Sequence, residues 1–148
     1  MVGFMTDEPW YVDYTMPVLL ADARATYGTA ITRALEDAGF TDMPRAGARV
    51  VGGIARTGQP MSDVVRTLGV SKQSAGQLID SLVLRGYGER LPDPDDRRRV
   101  IVGLTERGRS AAQVVWSAVE GVDAELLRRV GPDAVGVMRR GRRARRDG

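Results

Sequence analysis

The sequence of 148 residues contains neither cysteine nor histidine. Without cysteine there is no disulfide scaffold, no thiolate metal site and no cysteine redox switch. Without histidine the chain lacks the commonest general base and the commonest metal ligand, which excludes Ser-His-Asp hydrolases and most zinc enzymes. Phosphate-cradling glycine loops and carboxylate pairs suited to acid–base chemistry are missing as well. We therefore expect no catalytic residue, no metal site and no cofactor.

Long apolar runs are also missing. No stretch approaches the roughly 18 uninterrupted apolar residues of a membrane span. No lysine or arginine precedes Arg24, whereas Asp7, Glu8 and Asp13 do, so the start of the chain does not have the pattern of a secretory signal. The sequence predicts a cytoplasmic protein without membrane contact.

Lysine is nearly absent, because Lys72 is the single lysine among 22 basic residues. The formal charge is +3 and the isoelectric point is about 9.8. Arginine suits phosphate recognition, although a bias towards arginine can equally reflect genome base composition. With 43% apolar and 28% charged residues, the composition is typical of one soluble globular domain with a core.

Apolar periodicity and capping signals predict a mainly helical chain with one hairpin. After an arm at residues 1–14, the predicted helices are 16–38, 44–56, 60–68, 72–85, a long one after Thr105, and a last one from Pro132 to about Arg140. Residues 87–91 and 100–104 are the predicted strands. Gly52 and Gly53 interrupt the second helix, which indicates either close approach of another helix or weak helicity.

The middle of the chain has the pattern of a winged helix-turn-helix. Gly69 can adopt the left-handed conformation that ends one helix, and Ser71 can cap the next. Two short helices joined by a glycine-containing turn form a helix-turn-helix, and the hairpin that follows is the wing. The predicted fold class is therefore mainly α with a small β-hairpin wing (α+β), a winged helix-turn-helix.

The helix at residues 72–85 has two different faces. At about 100° per residue, one side carries the apolar residues Ala75, Leu78, Ile79 and Leu82. The other side begins with a polar set, which we predict to contact DNA: Ser71, Lys72, Gln73, Ser74 and Gln77. Amides can pair with adenine edges in the major groove, and hydroxyls and lysine can reach bases or phosphates. The alternative is an ordinary solvated polar face.

The hairpin tip carries three consecutive arginines, Arg97, Arg98 and Arg99, behind three aspartates. Charge runs are usually only solvated, but the strands restrict where this tip can point, and arginine enters narrow minor grooves. We predict that Asp96 steers the guanidinium of Arg98. Such an exposed pair would position the side chain and contribute at most about 1 kcal/mol to stability.

Residues from about Thr15 to Pro132 resemble the MarR (multiple-antibiotic-resistance regulator) family of transcription factors. The matching motifs are residues 62–71, 78–82, 86–87, 90–98 and 104–109. The resemblance implies that Arg98 contacts DNA and that a homodimer forms from the first, fifth and sixth helices. It therefore adds flanking dimerisation helices to the predicted winged helix-turn-helix. Val65, where the family usually has alanine, and the Gly52-Gly53 pair depart from the pattern.

The resemblance and the element pattern together suggest five segments. These are an N-terminal arm (1–14), a dimerisation helix (15–44), the winged helix-turn-helix (45–104), C-terminal dimerisation helices (105–138) and an Arg-rich tail (139–148). Residues 45–109 hold twelve basic against seven acidic groups, whereas residues 1–44 and 110–138 are acidic. This split favours a basic DNA-binding surface between acidic assembly helices. The tail, net +5, is either an extra phosphate contact or a solvated terminus.

The predicted function is a transcriptional repressor that binds a palindromic operator in double-stranded DNA as a homodimer. The recognition helix would enter the major groove and the arginine wing the minor groove. The alternative is a winged-helix module that binds a protein or RNA without reading DNA sequence. The resemblance also implies a small aromatic effector, for which the sequence identifies no binding residues. Tyr14, Tyr27 and Trp116 could line such a cleft, although burial in the core explains them more simply.

Overall fold

The computed structural model describes residues 16–54 and 58–143. The helices are α1 (Met16–Asp37), α2 (Gly47–Gly53), α3 (Met61–Leu68), α4 (Lys72–Leu84) and α5 (Glu106–Arg143). The strands are β1 (Gln59–Pro60), β2 (Gly88–Pro92) and β3 (Val100–Leu104). The predicted fold class, mainly α with a small wing, is confirmed. The predicted N-terminal arm and the end of the tail lie outside the described residues.

The helix α2 is shorter than predicted. Residues 44–46 form a turn, in which the amide of Gly47 donates to the carbonyl oxygen of Pro44 at 2.7 Å, and Ile54 is already extended (φ −73°, ψ 126°). Gly52 lies against α5, because a Cβ at this position would lie 2.9 Å from Cγ1 of Val115. No atom lies within 4 Å of a Cβ placed at Gly53. Close helix approach therefore explains Gly52, and no packing contact explains Gly53.

The sheet has one strand that the sequence did not predict. β1 pairs antiparallel with β3, with Gln59 opposite Val102 and Pro60 opposite Ile101, and the strand order is β1-β3-β2. Pro60, predicted as the first residue of a helix, belongs to β1 and occupies the N-cap position of α3. Two residues are too few to show the alternating pattern by which strands are recognised, so only the pairing with β3 reveals this strand.

The core lies where α2, α4, the sheet and the first half of α5 meet. Its fully buried side chains include Val51, Ile79, Leu82, Tyr87 and Val102. Ala75, Ile79 and Leu82 of the predicted apolar face of α4 are buried, whereas Leu78 is half-buried. Val65 is half-buried and packs against the core, so the larger residue is accommodated between the helices. This core holds α4 and the wing on one framework.

The helix α5 is two helices joined at a kink. Gly131 has φ +81° and ψ 164°, and Pro132 follows it, as the Gly-Pro sequence predicts. The second helix runs to Arg143, a little beyond the predicted end at Arg140. The first half of α5 packs against α1, where the Tyr27 hydroxyl donates to a carboxylate oxygen of Asp123 at 2.5 Å. Among the described residues, the helices are all too short or too polar to cross a membrane.

Candidate nucleic-acid interface

The turn between α3 and α4 has the geometry that the sequence predicts. Gly69 is left-handed (φ +65°, ψ 31°), and its amide donates to the Val65 carbonyl oxygen at 3.0 Å. Ser71 Oγ accepts a hydrogen bond from the amide of Ser74 at 3.1 Å and donates to Ser74 Oγ at 2.9 Å. The Ser71 hydroxyl therefore caps α4, and both serine hydroxyls take part in hydrogen bonds at the start of this helix.

Replacing Ser71 by alanine is expected to lower the free energy of unfolding by about 1 kcal/mol, because α4 loses its N-terminal acceptor. Ser71→Asp is the matched control, since aspartate keeps an acceptor at the same place and should retain most of the stability. Urea unfolding followed by circular dichroism measures both. Equal loss in the two variants would show that the cap contributes nothing.

The polar half of α4 is exposed as one surface, which we call the reading face. Its members lie on the first two turns of α4 and are all exposed: Lys72, Gln73, Ser74 and Gln77. No hydrogen bond or ion pair engages the side chains of Lys72, Gln73 or Gln77 within the described part of the chain. The structure therefore leaves an amide pair and one cation free to bind an external partner.

The wing tip is shaped by aspartate side chains bound to backbone amides. Asp93, nine-tenths buried, accepts from the amide of Asp95 at 2.9 Å, and its own amide donates to the Arg99 carbonyl oxygen at 3.0 Å. Asp96 Oδ1 accepts from the amide of Arg98 at 3.0 Å. The prediction that Asp96 steers the Arg98 guanidinium is thus corrected, because Asp96 holds the Arg98 backbone instead. An aspartate acts here as a turn-forming residue.

The three wing arginines are all exposed. Arg97, Arg98 and Arg99 lie between the ends of β2 and β3, where Pro92 pairs with Val100. The side chains of these arginines make no ion pair among the described residues. The tip therefore presents three unpaired cations on a turn whose backbone is fixed by Asp93 and Asp96.

Behind the wing lies a cluster that the sequence did not indicate. The hydroxyl of Tyr87 donates to Asp42 Oδ1 at 2.5 Å, and Arg107 donates to the same carboxylate at 2.9 Å. The Arg107 guanidinium also lies over the Tyr87 ring, 4.3 Å from its centroid, and donates to the carbonyl oxygen of Arg85. This Asp42–Tyr87–Arg107 cluster connects the α1–α2 loop to the end of α4, the start of the wing and the first turn of α5.

The cluster changes the acidity of two of its members. Burial, together with the hydrogen bond to Asp42, raises the pKa of Tyr87 to about 12. The hydrogen bonds from Tyr87 and Arg107 lower the pKa of Asp42. At neutral pH Tyr87 is therefore a donor and Asp42 a charged acceptor, which is the combination that holds the cluster together.

The helix α4 is also linked directly to the wing. Arg90 of β2 forms an ion pair with Asp80 of α4, with 2.6 Å between Nη2 and Oδ1. Both side chains are about half exposed. The pair places one charge of each sign at the edge of the reading face.

The aromatic residues proposed for a ligand cleft have different positions. Trp116 is 43% exposed, and its Nε1 donates to the Gly52 carbonyl oxygen at 2.8 Å. The interpretation of Trp116 as a core residue is therefore wrong. Tyr27 is half-buried between α1 and α5, and Tyr14 lies outside the described residues.

Together, the capped turn, the reading face and the basic tip define a winged helix-turn-helix protein. The sequence profile of the MarR family matches residues 41–99, which span the end of the α1–α2 loop to the wing tip. Over this stretch the chain is similar to the MarR family.

A curated relative is the multiple antibiotic resistance protein MarR of Escherichia coli (strain K12), 30% identical over 77 residues. The match covers 51% of this chain and 54% of the relative, so it spans about half the length of that protein. The MepR–DNA complex of S. aureus has a similar fold, with a TM-score of 0.70 at 17% identity, over 91% of this chain and 98% of that one. CouR of Rhodococcus jostii RHA1 bound to p-coumaroyl-CoA has a TM-score of 0.70 at 24% identity, over 86% and 89%.

Proposed function

We propose that this protein is a transcriptional regulator that binds double-stranded DNA in a sequence-specific manner and represses transcription. The observation that carries the proposal is that the reading face and the three wing arginines are exposed at the same time on elements that share one hydrophobic core. Gln73 and Gln77 would contact base edges in the major groove, while Lys72 and the hydroxyls of Ser71 and Ser74 would contact bases or phosphates. Arg98, with Arg97 and Arg99 beside it, would enter the minor groove.

The binding species is a homodimer on a palindromic operator. In the single chain, α1 and the part of α5 just before the kink expose apolar side chains, which supports a partner surface: Val18, Leu20, Leu127 and Val130. A two-fold dimer presents two recognition helices to two half-sites about one helical turn apart. Acidic flanking segments around a basic centre orient each subunit towards DNA. The cytoplasm is the compartment that this function requires.

The test begins with selection of a binding site from random duplexes, followed by binding assays across a salt series. Arg98→Ala is expected to weaken binding at least about tenfold and to lower the slope of log affinity against log salt. Arg33→Ala, an exposed arginine on α1, is the matched control and should change affinity little. Selection of no preferred site would contradict the proposal.

Base readout is tested separately by Gln73→Ala combined with Gln77→Ala. Loss of bidentate amide contacts should reduce discrimination between the selected site and a mismatched one, by about 1–3 kcal/mol for each base pair read. Nonspecific affinity should stay nearly constant, because neither residue carries a charge. An unchanged preference would favour the alternative, a winged-helix module that binds a protein or RNA.

We infer that a small aromatic effector regulates binding through the region around Trp116. The exposed indole lies where α2 approaches α5, and CouR, a protein of the same fold, binds p-coumaroyl-CoA. A dimer could adopt two conformations that differ in the distance between its two α4 helices. A ligand would change the affinity for DNA only if it bound one of these conformations more tightly than the other. Tryptophan fluorescence of the wild type and of Trp116→Phe, titrated with aromatic acids, tests this inference. A quench that persists in the variant would contradict it.

A further inference from the structure

One acidic residue of α4 lies next to the reading face. Asp80 is the single acid of α4 and follows Gln73 by seven residues. Seven steps of about 100° bring a side chain back to within about 20° of its starting direction, and about 10 Å further along the axis. Asp80 therefore lies on the same stripe as Gln73 and Gln77. An isolated carboxylate in this position would repel the phosphates that flank the groove.

Arg90 neutralises this carboxylate from the neighbouring strand. Its guanidinium lies 2.6 Å from Asp80, and its backbone is fixed by pairing with Val102 of β3. The exposed pairs Asp63–Arg66 and Glu125–Arg128 each lie within one helix. The Asp80–Arg90 pair instead joins α4 to the wing. It therefore connects the two elements that would bind DNA.

We propose that Arg90 is a positioning residue whose function in DNA binding is to cancel the charge of Asp80, and that it is not itself a phosphate contact. The inference rests on the proposed function. With Arg90 bound, the surface of α4 that follows the reading face is neutral and can approach the phosphate backbone. Without it, Asp80 faces the DNA uncompensated, because no other cation is paired with it among the described residues.

The test is a double-mutant cycle with Asp80→Asn and Arg90→Ala, measured on the site selected by the wild type. Arg90→Ala is expected to weaken binding about tenfold, because like charges face each other without compensation. The double variant should return to within about threefold of the wild type, with the same salt slope. A phosphate contact would instead make the double variant weaker, and lower its slope by about 0.9. Circular dichroism should show unchanged folding, since exposed pairs contribute little to stability.

The pair Asp63–Arg66 on α3 provides a matched control, with an ion pair of 2.8 Å that is also exposed. In the cycle of Asp63→Asn and Arg66→Ala, the first change is expected not to rescue the second. Additive effects of Asp80→Asn and Arg90→Ala, or no effect of Arg90→Ala, would overturn the inference while wild-type binding leaves the proposed function intact. Failure of the wild type to prefer any site would instead overturn the proposed function, and this inference with it.

Discussion

Replacing Gly108 by alanine is expected to lower the free energy of unfolding by about 3 kcal/mol, although alanine is the better helix former. A Cβ at Gly108 would lie 1.9 Å from the Tyr87 carbonyl oxygen and 2.9 Å from its carbonyl carbon. The clash is with backbone on both sides, so neither partner can rotate away. The first turn of α5 would have to separate from the start of the wing.

That separation would break a compact set of hydrogen bonds. The Thr105 amide donates to the Tyr87 carbonyl oxygen at 3.1 Å, and the Thr105 hydroxyl donates to the Gly86 carbonyl oxygen at 2.5 Å. Thr105 Oγ1 also accepts from the amide of Gly108 at 3.0 Å, which caps α5. Partly buried donors that lose their partners cost about 1–3 kcal/mol each, so even a partial shift is expensive.

Gly121→Ala provides the matched control in the same helix. Nothing lies within 4 Å of a Cβ at Gly121, so this substitution should stabilise the protein by up to about 1 kcal/mol through helix propensity. Chemical unfolding of both variants at one pH measures the difference. Similar stability of the two variants would show that the contact between α5 and the wing is looser than the structure indicates.

Truncation of Tyr87 to alanine is expected to cost about 3–5 kcal/mol, the usual range for a large aromatic core residue. Tyr87 is the largest fully buried side chain among the described residues, and its ring lies 6.1 Å from that of Phe40 between centroids. The matched variant Tyr87→Phe keeps the ring and removes only the donor to Asp42. It should lose about 1 kcal/mol, since Arg107 still binds the carboxylate. A large loss in Tyr87→Phe would mean that the hydrogen bond, not ring packing, dominates.

The wild type and Tyr87→Phe are also expected to respond differently to alkaline pH. The pKa of Tyr87 is raised to about 12 in the folded state by burial and by the hydrogen bond to Asp42, against about 10 for an unfolded tyrosine. The folded state therefore favours the neutral phenol. Its contribution to stability is complete below pH 10 and is lost as the pH rises through 12. The stability difference between wild type and Tyr87→Phe should shrink over that interval, and a constant difference would contradict the assignment.

Local signals predicted the elements that form through neighbouring residues. Gly69 and Ser71 predict the turn and the cap because their effects need only adjacent backbone. The strands on either side of the wing tip and the kink at Gly131 follow from similarly local rules. The buried stripe of Ala75, Ile79 and Leu82 follows from helical periodicity. The assignment of DNA contacts to α4 and the wing remains a prediction. The side chains concerned are exposed, as DNA binding requires.

Other features depend on residues that are far apart in sequence. The strand β1 is only two residues long and exists through its pairing with β3. The Asp42–Tyr87–Arg107 cluster joins segments separated by up to 65 residues. Tyr87 and Arg107 lie within the motifs that resemble the MarR family, but nothing in those motifs indicates that the two side chains meet at Asp42. The prediction for Asp96 identified the right residue with the wrong partner, because a backbone amide competes with a flexible guanidinium for the same oxygen.

The absence of cysteine and histidine, the order of the elements and the uneven charge distribution were determined by the sequence alone, and they already pointed to a winged helix-turn-helix. The tertiary structure decided how α5 docks on the wing at Gly108, which carboxylates bind Tyr87 and Arg90, and that Trp116 lies at the surface. Periodicity and capping act over a few residues, whereas these contacts depend on the distance between elements that only the packed core fixes. The arginines of the wing could be recognised from the sequence, but the ion pair between Arg90 and Asp80, next to the reading face, could be found only in the fold.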